Sequence, residues 1–358
     1  MDATDPRELR SDKSTDDAGD SGRRLRLVDA HSDFLCDVYD RRRRGETRVM
    51  ERLYLPTWRA GHLRVVVAAI YLETFLVPHL ALETALEMID GLNLEIEESP
   101  GLFALCRTAA QLDRALEQGR VAVLLSLEGA EPIGTNLSLL RTLHALGVRL
   151  MGLTWSRRNA AADGAATALG GRRSPAGLTA FGRELVAEAV RLGMAVDISH
   201  LNDAGMADLL TLGVPRLFAS HSNARALLDK ERNIPDDWIR SLAARGGVIG
   251  VNGVNTLTAA DDSEATVERV ADHVEHIAAV AGRGHVGLGL DFCANLPEVV
   301  PQKPLLPGER AIMDILGDHA GVSALLRELK ARGWPDSDIR NVAGENFLRF
   351  LRGVLPRE

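Results

Sequence analysis

The stretch LVDAHSDFL, residues 27–35, begins as an apolar, strand-like run and breaks off in Asp29, His31 and Asp33. Side chains alternate between the two faces of a strand, so His31 and Asp33, two residues apart, share a face and can reach the same ion. If the chain uses this device once, other apolar runs should end the same way.

Seven further runs do alternate with helix-like segments. After LRLVDA (25–30) come RVVVAAIYL (64–72), VAVLLSL (121–127), VRLMGLT (148–154), MAVDIS (194–199), PRLFAS (215–220), GGVIGVN (246–252) and HVGLGL (285–290). Between them lie amphipathic stretches such as 178–193, 203–213 and 263–282, closing on a glycine as helix C-caps do. Eight strands alternating with helices predict an α/β fold, a TIM-type (β/α)8 barrel, whose enzymes work at the C-terminal ends of the strands. The chemical residues fall there: His31 and Asp33 after the first run, Glu128 after the third, His200 after the fifth, His221 after the sixth and Asp291 after the eighth.

Imidazoles and carboxylates without thiolates form a ligand set suited to zinc, and they also hold manganese, iron or cobalt. One catalytic zinc needs three protein ligands and an open position, so this larger set points to a binuclear site with one shared carboxylate. The histidines at 62, 79, 144, 273, 276, 285 and 319 sit in helices, loops or strand starts and receive no role.

Composition narrows the class. The chain has 358 residues, 46% hydrophobic and 26% charged, which is ordinary for a soluble globular protein, and its net charge of −8 argues against a nucleic-acid partner. The RRRR run at 41–44 reads as a solvated loop face. Cys36, Cys106 and Cys293 are odd in number and far apart, so a reducing compartment is expected. No segment resembles a signal peptide or a membrane span, and the expectation is a cytoplasmic protein without membrane attachment. Residues 1–24 read as a disordered tail and residues 25–358 as a single barrel domain; a proline-rich loop follows residue 291.

Several motifs, in order, resemble the renal or membrane dipeptidases, zinc peptidases of the amidohydrolase type. They include DAHSD, WRAGHL (58–63), SLEGAEPIG (126–134), GLTWSRRNAAADG (152–164), DISHLND (197–203), FASHSNARAL (218–227), RNIPDD (232–237), VGLGLDF (286–292) and GENFLRF (344–350). The resemblance spans about Leu27 to Phe350 and implies two zinc ions per chain. His31 and Asp33 would hold the first, His200 and His221 the second, and Glu128 would bridge them around a zinc-bridged hydroxide. Asp291 matches the carboxylate that orients that water and passes its proton to the leaving amine. Arg232 matches the arginine that grips the substrate carboxylate.

The implied activity is hydrolysis of small dipeptides, in a family whose members often form homodimers. Where animal members carry Leu-Thr-His, this chain reads Leu153, Thr154, Trp155, placing an indole at a substrate contact. The family's Asp-Phe-Asp-Gly is DFCA here, with Cys293 and Ala294, and Gly253 and Val254 stand where an aromatic pair is common. These changes leave the six metal-site residues intact and put the substrate preference in doubt. A second reading is therefore an amidohydrolase acting on another small amide, such as an N-acyl amino acid, a lactam or a peptide-like natural product. A third is a catalytically silent binding protein.

Overall fold

A computed structural model describes residues 25–167, 176–293 and 310–358. The expected tail at 1–24 and most of the proline-rich loop lie outside them. Among the described residues nine strands form: β1 (Leu27–Ser32), β2 (Leu63–Ile70), β3 (Phe103–Leu105), β4 (Val121–Glu128), β5 (Val148–Gly152), β6 (Ala195–Asp197), β7 (Leu217–Phe218), β8 (Ile249–Val251) and β9 (Val286–Leu288). A parallel ladder runs β1-β2-β4-β5-β6-β7, and β8 pairs with β9, also in parallel. Eight of the nine correspond to the runs read from sequence. They read as near-continuous Val, Ile and Leu because a parallel sheet is covered on both faces, and β4 is buried along its whole length.

β3 is the strand the reading missed. Only three residues long, it pairs with the first three residues of β4, beside the ring. A run that short has no usable period.

Two seams turn the curled sheet toward closure. At the first, a single parallel bridge joins Ala219 to Ile249. Gly250 and Gly289 are needed here, because a Cβ at either would collide with the Ser220 carbonyl oxygen. At the second, β1 meets β9 largely through a side chain. Asp29, fully buried, accepts the Leu290 N–H at 2.8 Å and the His31 N–H at 3.3 Å, and its other oxygen pairs with His319 Nε2 at 2.8 Å. Asp29 is therefore a fastener of the barrel, and His319 supports it.

The helices between strands start on residues that satisfy their free N–H groups. Thr179, Asn202 and Thr266 accept from Gly182, Gly205 and Arg269 at the heads of helices Ala180–Arg191, Asp203–Thr211 and Val267–Ala281. The arginine run corrects an expectation. Arg41, Arg42 and Arg43 end helix Phe34–Arg43 instead of forming a loop, where positive charge complements the helix dipole. Each of the four also has an acidic partner: Asp37 and Glu46 for Arg41, Glu95 and Glu98 for Arg42, Glu87 for Arg43, Asp40 for Arg44. The run is neutralised within the fold.

Removing the β1–β9 fastener tests this account. Asp29→Ala leaves two buried N–H groups and His319 without their acceptor, and we expect a loss of about 3 kcal/mol or more in denaturant unfolding. A loss below about 0.5 kcal/mol, the range of unremarkable surface changes, would refute the seam.

Candidate metal and catalytic site

Strand ends bring the six side chains together. His31 lies on β1 with Asp33 just beyond it, Glu128 is the last residue of β4, His200 follows β6, His221 follows β7 and Asp291 follows β9. All but Asp291 are buried to 9% exposure or less. The Glu128 carboxylate stands between two groups of donors. Its Oε2 is 3.5 Å from His31 Nε2, which is also 3.5 Å from Asp33 Oδ1 and 3.7 Å from Asp291 Oδ1. Its Oε1 is 2.9 Å from His200 Nε2 and 3.5 Å from His221 Nε2, and the two imidazole nitrogens are 2.9 Å apart. The grouping is not a clean division into pairs: the His31 and His221 rings stack at 3.6 Å, and His31, Glu128 and His221 also converge as a set, as do His31, Asp33 and Asp291.

Donor atoms in this cluster are left over. His31 Nε2, Asp33 Oδ1 and Glu128 Oε2 are buried and make no hydrogen bond among the described residues. Leaving such atoms unpaired is costly unless something else satisfies them, and a cation does so for lone pairs that converge. The donor set therefore fits the metal that the sequence implied.

Surrounding residues aim these atoms. Ser220 Oγ lies between Asp197 Oδ2, which can only accept its hydrogen, and His221 Nδ1 at 2.5 Å. The hydroxyl has one hydrogen, so Nδ1 must donate to it, which leaves Nε2 of His221 as a bare lone pair facing Glu128. Ser156 Oγ contacts His200 Nδ1 at 2.8 Å, and Asn252 Nδ2 donates to Asp291 Oδ2 at 2.8 Å, turning Oδ1 toward His31. Sequence reading assigned no role to Ser156, Asp197, Ser220 or Asn252. Their only signal was position, each lying one to three residues from a named histidine or at the end of an apolar run. His200 and Asp291 also hold left-handed backbone, with φ of 68° and 57°. Such conformations cost about 1–2 kcal/mol for residues with a Cβ and cluster at functional sites.

Electrostatics agree with a missing positive charge. Burial pushes the Glu128 carboxyl up to about 8, the Asp33 charge adding to the rise and His31 opposing it. Burial lifts Asp291 to about 7, with His31 opposing and Asp33 adding. For His31, burial opposes the charged form, but Glu128 and Asp33 outweigh it and raise the imidazole well above its usual range. Burial, aided by the Arg232 and His31 charges, holds His200 and His221 well below theirs, so both are neutral, as metal ligands must be.

The remaining predicted residues surround this centre. Arg232, 3% exposed, donates from Nη1 to Ser222 Oγ at 2.7 Å and from Nη2 to the His221 carbonyl at 2.8 Å, while its buried Nε has no partner among the described residues. Its loop is held by Arg225, which grips Asp203 through two bonds of 2.8 and 2.7 Å. Trp155 is half-buried and stacks on His200 with ring centres 5.8 Å apart, Tyr71 lying against its indole at 5.6 Å. The Cys293 thiol donates to the Asp291 carbonyl and its N–H to Asp314. Val254 is buried and bridged to Asp314, and Gly253 bonds Leu290, so these two residues serve as backbone connectors.

Comparisons with known proteins follow the same lines. Residues 20–355 match the family model described as membrane dipeptidase, peptidase family M19. The chain is 32% identical over 280 residues, 78% of its length, to the dipeptidase tcpJ of Claviceps purpurea (strain 20.1), and it spans 61% of that protein. A solved structure of the dipeptidase AC, a metallopeptidase of family M19, superposes with a TM-score of 0.80 at 28% identity, covering 92% of this chain and 99% of that one. A metallopeptidase from Rhodobacter sphaeroides, liganded with a phosphinate mimic of the dipeptide L-Ala-D-Ala, superposes at 0.79 with 27% identity and the same coverage.

The electrostatics make a prediction about pH. Glu128 and Asp291 are raised from ordinary values of 4.5 and 3.8 to about 8 and about 7, so the metal-free folded state binds more protons than the unfolded chain between those limits. Stability then falls as pH rises. Between pH 6.5 and 8 the opposing contribution of the depressed His200 and His221 fades as their imidazoles lose protons in the unfolded chain, and the raised His31 acts in the same direction as the carboxyls. Chelator-treated protein should thus melt at a lower temperature at pH 8 than at pH 6.5, and protein loaded with a divalent ion should lose most of that slope. Equal slopes with and without chelator would disprove the charge deficit.

Proposed function

The chain belongs to the membrane dipeptidase family, peptidase family M19, and on that premise we propose that it hydrolyses the single amide of small dipeptides with two zinc ions. Members of this family use a metal cofactor, and the carrying observation for two ions is the division of Glu128, one oxygen toward His31 and Asp33 and the other toward His200 and His221. Bound ions of this kind supply Lewis acidity toward the amide carbonyl and a hydroxide nucleophile near neutral pH.

The chain's own residues would do the rest. Asp291, fixed by Asn252 through Oδ2, presents Oδ1 to accept a proton and return it to the leaving nitrogen. The C–N bond breaks as that proton arrives, giving a free amine and a carboxylate. Arg232, whose Nε has no partner among the described residues, would bind the substrate carboxylate; its burial strengthens that pair by excluding water. Trp155 and Tyr71 would form an aromatic wall for a substrate side chain. The dipeptide mimic bound by the Rhodobacter sphaeroides relative supports a dipeptide of this size.

The same reading takes residues 25–358 as one catalytic domain and includes a homodimer. Cys36, Cys106 and Cys293 are free thiols, which suits the reducing cytoplasm. Among the described residues, no helix is long and apolar enough to cross a membrane. The indole at Trp155 favours a second reading, in which the same barrel cleaves another small amide.

One sample separates these readings. Zinc-reconstituted protein should carry about two zinc ions per chain and hydrolyse dipeptides with a free α-amino group, and N-acetylation of the substrate should abolish turnover. Turnover of blocked substrates alone would favour the second reading, and bound zinc with no amide cleaved would favour a silent binding protein. Glu128→Gln should lower kcat/KM by about 10³-fold or more with the circular dichroism spectrum retained. Full activity in that variant would end the shared-carboxylate account.

A further inference from the structure

Arg157 stands outside the chemistry just described, yet it ties together three loops at the catalytic end of the barrel. Its Nε donates to Glu131 Oε1 at 2.8 Å, Nη2 to the Leu72 carbonyl at 2.8 Å and Nη1 to Thr74 Oγ1 at 3.4 Å. Leu72 and Thr74 follow β2, Glu131 follows β4, and Arg157 itself follows β5. Its guanidinium carbon lies 5.3 Å from the centre of the Trp155 ring and 5.9 Å from that of Tyr71. One flat cation thus packs against both members of the aromatic pair.

Local backbone makes this possible. The Arg157 N–H bonds the Trp155 carbonyl at 2.7 Å, a tight turn that folds the arginine back over the indole. Gly164 lets the loop close, since a Cβ there would collide with the Trp155 carbonyl oxygen. On the partner side, Glu131 sits three residues after Glu128 with its side chain only 2% exposed. Gly129, at a φ of 99°, leaves room for that carboxylate, which a Cβ would strike. Two loops have therefore been shaped around one ion pair.

We infer that Arg157 is a positioning residue: it locks the Trp155 indole against His200 and joins it to the loop that follows Glu128. Lysine cannot substitute, because the role uses a planar fork with several donors and a stacking face. Neighbouring Ser156 contacts Nδ1 of the same histidine, so residues 155–157 meet His200 as wall, hydrogen-bond partner and clamp. For catalysis the inference rests on Trp155 being a wall of the substrate pocket, as proposed above.

The test uses the full-length, metal-loaded protein and the variants Arg157→Lys, Glu131→Gln and Trp155→Phe, with metal content and melting temperature measured on each. The emission of Trp155 is isolated from the other three tryptophans by subtracting the Trp155→Phe spectrum. In Arg157→Lys we expect acrylamide quenching of that emission to rise about twofold, and KM for a dipeptide to rise about tenfold while kcat stays within about threefold. In the Trp155→Phe background the effect of Arg157→Lys on KM should shrink below about twofold, because the two residues act through one contact.

Glu131→Gln keeps the shape of the anchor and reads the same contact if Arg157→Lys does not fold. Unchanged quenching in both variants, or an equal KM effect with and without Trp155, would overturn the inference. A wild-type protein that cleaves no dipeptide would instead defeat the proposed activity, and the quenching measurement would still decide the role of Arg157.

Discussion

Glu128 is buried with one oxygen turned toward each group of donors, and Oε2, on the His31 side, makes no hydrogen bond among the described residues. A carboxylate in apolar surroundings is costly without compensating charge, and here two aspartates lie close by, deepening the deficit. The rest of the catalytic end answers to this constraint. Neutral His200 and His221 present lone pairs, Ser220 and Asn252 hold neighbouring atoms in orientation, and Arg232 adds a cation beside them. A divalent ion is the one addition that relieves all of these at once.

Holding so many polar groups inside a ring of Val, Ile and Leu requires a rigid frame. The frame is least regular where it carries most of the chemistry. β8 and β9 join their neighbours through one bridge on one side and the Asp29 carboxylate on the other. His200, after β6, and Asp291, after β9, depart from ordinary backbone where their strands end. Close approach at Gly250 and Gly289 lets the Ser220 segment pass between strands, which sets His221 in place. Packing elsewhere in the barrel sustains the local strain.

Asp29 shows how a residue's neighbourhood can mislead. It stands two residues before His31 in a stretch full of titratable side chains, yet its oxygens go to the β1–β9 seam and to His319. Nothing in the linear pattern separates it from Asp33. Both are aspartates near the end of one strand, and the distinction arises from which strand closes against β1.

The eight main strands were legible because a parallel sheet covered on both faces needs continuous apolar runs, and the polar residues ending them were legible because each interrupts such a run at the end where barrel enzymes place their chemistry. β3, the helical state of Arg41 to Arg43, and the work of Ser156, Asn252 and Arg157 were not. A three-residue strand has no period, and a serine or arginine beside a motif acquires a role only when the chain brings a partner from far away, as Glu131 and Leu72 are brought to Arg157. By itself, then, the sequence determined the alternation of elements and the types of donor delivered at the strand ends, since burial and side-chain chemistry are local properties. Only the tertiary structure decided which donors face one another, which tautomer each histidine adopts and which loops are clamped together, because those depend on distances between residues far apart in the chain.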